Sequence, residues 1–263
     1  MNPESTFDSL PVFLVLGASV ILMVLSFEGG AFLGTAHKKK LVKEQLSQVR
    51  SLMGAGLGML AFMLGFSFNI AQSHFEKRNE AYLVEINAIN SAYLTSGLLE
   101  DQTKSSRKLL RDFVEERVKI EEAAVEGRMD DAMDGIQDGE KILEDLWEKA
   151  ENLQAEFGSS ATGGFAQSIL TMIDANESRK HAALYNRIPP VIWIGLFFVT
   201  ALAMLVMGYH AGLTGARSRV ATWTLALSFS LVLMLVADLD RPKMSLFSVN
   251  HQQMLDLQES MDE

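Results

Sequence analysis

The stretch from Leu52 to Phe75 contains no Asp, Glu, Lys or Arg, and it constrains the fold more than any other feature. At about 1.5 Å per residue, a helix over this stretch is long enough to cross a bilayer. Three further apolar stretches, at residues 11–33, 191–208 and 220–237, predict further spans. No segment alternates β-branched and polar residues as strands do. The sequence therefore predicts an all-α membrane protein with four transmembrane helices.

The charged residues are concentrated between the second and third apolar stretches. Residues 76–187 hold 23 acidic and 14 basic side chains, in a chain with a net charge of −10. Their pattern predicts amphipathic helices, with breaks at Gly127 and at an Asp134–Gly135 turn. An acidic chain of this kind is not expected to bind nucleic acid.

These features divide the chain into four parts. The predicted parts are the first two spans with a basic connector (1–75), an acidic helical extramembrane domain (76–187), the last two spans (188–242) and a polar C-terminal tail (243–263). Neither Gly nor Pro occurs between Phe66 and Ser96. We therefore expect the second helix to continue unbroken from the membrane to about Leu94.

One face of this second helix carries a stripe that begins with a glycine, continues with aromatic residues and ends with polar residues. Its members lie three or four residues apart and are Gly58, Phe62, Phe66, Asn69 and Ser73. Such a stripe lines a narrow path with a hydrophobic constriction in an oligomer, or it forms a packing seam. Periodicity alone favours the seam. Small residues also predict close helix packing, and this helix has Gly54, Gly56, Gly58 and Gly65.

Few ionisable residues lie in or beside the apolar stretches. Glu28 is the only ionisable residue well inside such a stretch, and charged groups there are functional candidates. Alternatively, the helix ends at Ser26 and Glu28 lies among the lipid headgroups. Lys77 and Arg78 follow the second span and would raise the local anion concentration at a pore mouth. Their neighbours Glu76 and Glu80 oppose this effect.

The distribution of basic residues bears on membrane orientation. Seven Lys and Arg lie in the two short loops, five of them between His37 and Arg50. Short cationic loops stay in the cytoplasm, which would place residues 76–187 outside it. Basic residues also flank the membrane on the other side, at Lys77, Arg78, Arg179, Lys180, Arg187, Arg241 and Lys243. The sequence favours an extracytoplasmic domain on a bacterial inner membrane by a narrow margin.

The chain offers little chemistry of the kind that enzymes use. The acidic segment Asp130–Gly135 suggests a calcium loop, but an EF-hand needs oxygen ligands where Ala132 and Lys141 stand. A solvated turn is therefore favoured there. The histidines lack metal-ligand spacing, and the absence of cysteine excludes thiolate chemistry. We expect no enzymatic activity, no metal and no cofactor.

Several short motifs resemble the bestrophin-like domain family of bacteria and plants. They are Phe62-Met63-Leu64-Gly65-Phe66, Phe75-Glu76-Lys77-Arg78, Glu85-Ile86-Asn87-Ala88-Ile89, Ala92-Tyr93-Leu94 and Asp238-Leu239-Asp240-Arg241-Pro242. The resemblance runs from the first span to about Pro242. It implies a more distant similarity to the bestrophins, which are pentameric anion channels whose second span lines the pore.

The resemblance implies that Phe62 and Phe66 form a hydrophobic neck. The chain departs from the bestrophins at Gly58, where they place a bulky aliphatic residue, so a neck here would be shorter. It also lacks their dense acidic calcium clasp, to which Asp238 and Asp240 alone correspond. Arg241 follows these carboxylates in the post-membrane motif.

Two functions of different classes fit the sequence. The first is an oligomeric ion channel that is embedded in membrane lipid and conducts inorganic anions. The resemblance favours five copies of the chain in this oligomer. The second is a membrane-anchored sensor or scaffold whose acidic helical domain binds a partner. Stoichiometry discriminates them, because a path lined by one helix per subunit needs several copies around an axis.

Overall fold

The structure is a computed structural model that describes residues 11–37, 43–241 and 252–262. The described residues form eight α-helices and no strand, which confirms the all-α prediction. The helices are α1 (Val12–His37), α2 (Lys43–Ser96), α3 (Thr103–Val125), α4 (Met129–Phe157), α5 (Ser160–Tyr185), α6 (Pro190–Thr214), α7 (Arg219–Asp240) and α8 (Gln252–Asp262). A 3₁₀ turn at Glu100–Gln102 precedes α3.

Four of the described helices, α1, α2, α6 and α7, are long and apolar enough to cross a membrane. They coincide with the four predicted spans. Helix α2 runs without interruption from Lys43 to Ser96, which confirms the predicted continuity through His74–Arg78. The chain divides into two compact units, residues 1–75 with 187–241, and residues 76–186 with 242–263.

In the first unit, α1 and α6 pack so closely that their backbones touch. Each contributes two glycines four residues apart, Gly30 and Gly34 on α1 and Gly208 and Gly212 on α6. A Cβ on Gly30 would overlap the carbonyl oxygen of Leu205, and one on Gly208 would overlap that of Phe27. The contacts advance in the same order along both helices, so α1 and α6 run parallel, as expected for the first and third of four successive spans.

The glycines of α2 behave differently from the prediction. No atom of the described chain lies within 4 Å of a Cβ built on Gly54, Gly58 or Gly65, and Gly56 makes only ordinary contact with Ala203. The expected close packing at these glycines is therefore wrong within one chain. The physical reason is that the glycine-rich face of α2 points away from the other spans.

The second unit is a helical bundle around a continuous apolar core. Buried side chains from five helices meet in it, among them Ile89, Phe113, Leu146 and Phe165. The break at Gly127 is confirmed, with a φ of 75°, but the predicted turn at Asp134–Gly135 is wrong because both residues lie inside α4. The acidic segment that suggested a calcium loop is thus the start of a helix, where Asp130 and Asp131 occupy the first turn.

The C-terminal segment is also more ordered than its polar composition suggested. Residues Gln252–Asp262 form α8, whose Met254, Leu257 and Met261 are buried in the core of the second unit. The hydroxyl of Tyr93 donates a hydrogen bond to the Met261 carbonyl oxygen at 2.9 Å. Three buried apolar residues dock this short helix, whereas the polar residues around them led the composition to predict a tail.

Candidate functional site

The predicted stripe on α2 lies on a face that is largely uncovered in the described part of the chain. Phe62 is 74% exposed and Phe66 is 58% exposed, although both belong to an apolar transmembrane helix. Gly58 and Asn69 are exposed as well, and Ser73 is half-buried. On the opposite face, Leu60, Leu64 and Ser67 are buried against the chain. Within the described residues, the side chains of Phe62 and Phe66 are thus mostly uncovered.

The charges that follow the span are divided between two faces of α2. Lys77 is exposed, together with Glu76 and Glu80, whereas Arg78 is buried. Consecutive helix positions differ by about 100°, so Lys77 and Arg78 do not share a face. The exposed charges next to the span are therefore two acidic residues and one basic residue.

The post-membrane motif is a buried polar group at the end of α7. Asp238, Asp240 and Arg241 are all less than a tenth exposed. The backbone N–H of Ile188 donates a hydrogen bond to Asp240 Oδ1 at 2.8 Å, and His74 Nδ1 lies 3.8 Å from the same oxygen. Asp240, the last residue of α7, thereby connects the middle of α2 with the segment just before α6 within the first unit. This arrangement favours a structural role for the motif.

The described ranges contain no group of three or more His, Asp or Glu side chains placed to hold a metal ion. Asp238 and Asp240 are not joined by the further carboxylates of a calcium clasp there.

Glu28 lies on α1 and forms an ion pair with Arg217, which belongs to the loop between α6 and α7. Both side chains are about half exposed. Because a loop residue reaches Glu28, the carboxylate is close to the end of the spans. Helix α1 continues to His37, so the alternative in which the helix ends at Ser26 is wrong.

Comparison with known proteins places these features in a family. The bestrophin-like domain model matches residues 14–253, which include all four spans and nearly all of the bundle. The chain belongs to the bestrophin-like family. This membership indicates a distant relation to the bestrophin anion channels. No curated protein and no solved structure is significantly similar to the chain.

This bestrophin-like chain also has a buried ionic cluster in its second unit that the sequence pattern does not predict. Glu85 on α2 is fully buried and pairs with Arg117 of α3 at 3.0 Å and with Arg179 of α5. Arg179 also reaches Glu121 Oε1 at 2.7 Å. Glu85, Arg117, Arg179 and Glu121, called here the bundle cluster, join three helices. Glu85 belongs to one of the motifs that carry the family resemblance.

The electrostatics of the bundle cluster favour its charged form. Burial alone would lower the pKa of Arg179, but the carboxylates of Glu85 and Glu121 raise it above its ordinary value. Burial lowers the pKa of Arg117, and the Glu85 carboxylate opposes this shift. The guanidinium groups also lie over aromatic rings, Arg117 over Phe113 at 4.8 Å and Arg179 over Tyr82 at 4.9 Å. These buried ion pairs join α2, α3 and α5 within the second unit.

Proposed function

We propose that this chain forms an oligomeric channel for inorganic anions, with α2 lining the path and Phe62 and Phe66 forming its constriction. The observation that carries the proposal is the exposed stripe of α2, which places two aromatic residues and an amide on an uncovered face of a transmembrane helix. The family's distant relation to the bestrophin anion channels supports it. We propose no catalytic role for the chain.

The amide of Asn69 supports the proposal that this face is not in contact with lipid. Asn69 is exposed, and its side chain makes no hydrogen bond within the described part of the chain. An amide without a hydrogen-bond partner is costly in hydrocarbon. Asn69 therefore needs water or a neighbouring copy of the chain. A water-filled path between copies supplies both.

The two phenylalanines have the spacing of a hydrophobic gate. Four residues apart, they lie on one face of α2, and in a symmetric ring they form two apolar layers. A narrow apolar layer disfavours water and so blocks ions without a charged barrier. The uncovered Gly58 and Gly65 allow the helices of neighbouring copies to approach closely.

The number of copies and the ion are argued from the family relation. A closed ring needs several copies around one axis, and the bestrophin relation favours five. The exposed charges beside the span, Glu76, Lys77 and Glu80, do not by themselves select an anion. The proposed preference for anions thus rests on the family relation. The ion-flux measurement tests it separately from the question of whether the path conducts.

The proposal predicts that removing the aromatic rings opens the path. In liposomes, Phe62→Ala combined with Phe66→Ala is expected to raise chloride flux at least about tenfold, which corresponds to about 1.4 kcal/mol of barrier. The matched control is Phe198→Ala on α6, which removes an equally exposed phenylalanine from another span. The control is expected to leave the flux unchanged.

Oligomer size, measured on the same samples, separates the alternatives. Increased flux with an intact oligomer supports a gate. A dissociated oligomer without increased flux would indicate that Phe62 and Phe66 pack between subunits. A stable dimer without flux in any variant favours the membrane-anchored sensor or scaffold.

For orientation, we propose an extracytoplasmic acidic domain because of the cationic connector between α1 and α2. Reporter fusions at residues 45 and 160 are expected to report opposite sides of a bacterial inner membrane, with residue 160 outside the cytoplasm. A cytoplasmic signal at residue 160 would contradict the charge argument and favour the bestrophin orientation.

A further inference from the structure

A groove in the second unit lies between α2 and α5 and has a volume of about 570 Å³. Volumes of this size are typical of sites for small ligands. Its apolar lining comes from Ala81, Val84 and Ala182, and its charged lining includes Lys77 and Glu80. No Phe, Tyr or Trp is among the described residues that line it. The groove therefore combines a small apolar surface with charges of both signs.

Two charges at this groove are without a partner in the described part of the chain. Lys77 and Glu80 form no hydrogen bond and no ion pair there, and both residues are exposed. Three residues apart on α2, they are neighbours on the helix surface, with about 5–6 Å between their Cβ atoms. A Lys that precedes its Glu along a helix is in the less favourable order for pairing. Glu177, which lines the groove from α5, is by contrast paired with Lys180.

A ligand that satisfies both free charges carries an anionic group and an ammonium group close together. A carboxylate binds a primary ammonium, and a lysine binds a phosphate, through charge-assisted hydrogen bonds. A quaternary ammonium is instead recognised by aromatic rings, which are missing from the described lining of this groove. The phosphoethanolamine group has a phosphate and a primary ammonium joined by a two-carbon linker. This short linker suits two neighbouring positions on one helix.

Both walls of the groove are close to a span along the chain. Lys77 is the second residue after Phe75 on an uninterrupted helix, so about 3 Å along the helix axis separates the two residues. On the other wall, Asn186 directly follows α5 and is four positions before Pro190, the first residue of α6. Lipid headgroups are located where an apolar stretch ends. A membrane lipid is therefore the nearest source of such a ligand.

We propose that this groove binds the headgroup of a phosphatidylethanolamine lipid, with the phosphate at Lys77 and the ammonium at Glu80. The apolar residues Ala81, Val84 and Ala182 contact the carbon atoms of the headgroup. An anionic lipid that lacks the ammonium would leave Glu80 unpaired and bring a further negative charge next to it. The inference does not depend on the proposed ion path, because a lipid site is compatible with a channel and with a sensor.

The test is a titration of the full chain in detergent with phosphatidylethanolamine and with phosphatidylcholine of the same acyl chains. Native mass spectrometry counts the lipids that each chain retains. The unsubstituted protein is expected to prefer phosphatidylethanolamine by about tenfold, and Glu80→Gln is expected to abolish this preference, because a charged acceptor is replaced by a neutral one. Lys77→Gln is expected to weaken the binding of both lipids by about tenfold, since both carry the phosphate.

Matched controls change the same charges away from the groove. Glu144→Gln on α4 and Lys108→Gln on α3 replace exposed residues that do not line it, and they are expected to retain both lipids as the unsubstituted protein does. Soluble glycerophosphoethanolamine has the same headgroup without acyl chains. It is expected to compete far more weakly than the lipid, because only the lipid is concentrated at the end of the span.

The outcomes are separate from those of the flux measurement. Equal retention of the two lipids by the unsubstituted protein, or an unchanged preference in Glu80→Gln, overturns the inference. Equal effects of the control substitutions would indicate general charge attraction and overturn it as well. Competition by glycerophosphoethanolamine at the concentration of the lipid would identify a soluble zwitterion as the ligand and overturn the lipid assignment. Each of these failures leaves the proposed channel standing.

Discussion

Gly30→Ala is expected to destabilise the first unit by about 1–3 kcal/mol, whereas Gly29→Ala, one residue earlier, is expected to be neutral or slightly stabilising. The added methyl group at Gly30 would overlap the Leu205 carbonyl oxygen and approach the Tyr209 backbone nitrogen. Backbone atoms cannot rotate away as a side chain can, so α1 and α6 must separate. The other three interlocking glycines would then lose contact as well.

Gly29 is a matched control because it lies on the same helix and faces no atom within 4 Å. Alanine there gains helix propensity without a clash. The measurement is the midpoint of thermal unfolding of the two variants and the unsubstituted protein in detergent. Gly208→Ala, the equivalent change on α6, is expected to behave like Gly30→Ala. Equal midpoints for Gly29→Ala and Gly30→Ala would contradict the described α1–α6 contact.

The second large effect is expected in the bundle cluster, where Glu85→Gln should destabilise the second unit by about 3–5 kcal/mol. The substitution keeps the shape of the side chain and removes its charge. Arg117 is itself buried and loses its paired carboxylate, while Arg179 keeps Glu121. A buried charge without its counter-ion is far more costly than a missing surface pair.

The control for this prediction is an exposed ion pair in the same bundle. Lys141 and Asp138 are 2.7 Å apart, and more than half of each side chain is exposed. Asp138→Asn is expected to leave the unfolding midpoint unchanged within error, because solvent screens such pairs. Limited proteolysis of residues 76–186, compared between the two variants, reports the bundle directly. Equal resistance would mean that the bundle cluster adds no stability.

The spans and the course of α2 were predictable because length and hydropathy alone decide whether a helix crosses a membrane. A run without Gly or Pro was likewise sufficient to predict that α2 continues past Phe75. The packing glycines were not assigned correctly, since a small residue indicates a close contact without identifying the partner. The signal that was present is the spacing of four in both α1 and α6, at Gly30 with Gly34 and at Gly208 with Gly212.

The bundle cluster was missed for a different reason. A glutamate in an amphipathic helix resembles a solvated residue, and its partners Arg117 and Arg179 are distant in sequence. Only the fold shows that Glu85 faces the interior. By contrast, the stripe from Gly58 to Ser73 was predicted residue by residue, because helical periodicity fixes which side chains share a face. Periodicity left open whether the stripe lines a path or forms a packing seam; within the described residues, Phe62 and Phe66 are exposed.

The central claim is that the uncovered face of α2 surrounds an axis shared by several copies. The most direct test is to measure the native mass of the purified protein in detergent or nanodiscs. The mass is corrected for bound lipid. A closed ring of about five copies of the 29.1 kDa chain is expected. A monomer or a dimer would contradict it, because neither leaves Phe62 and Phe66 around a central path.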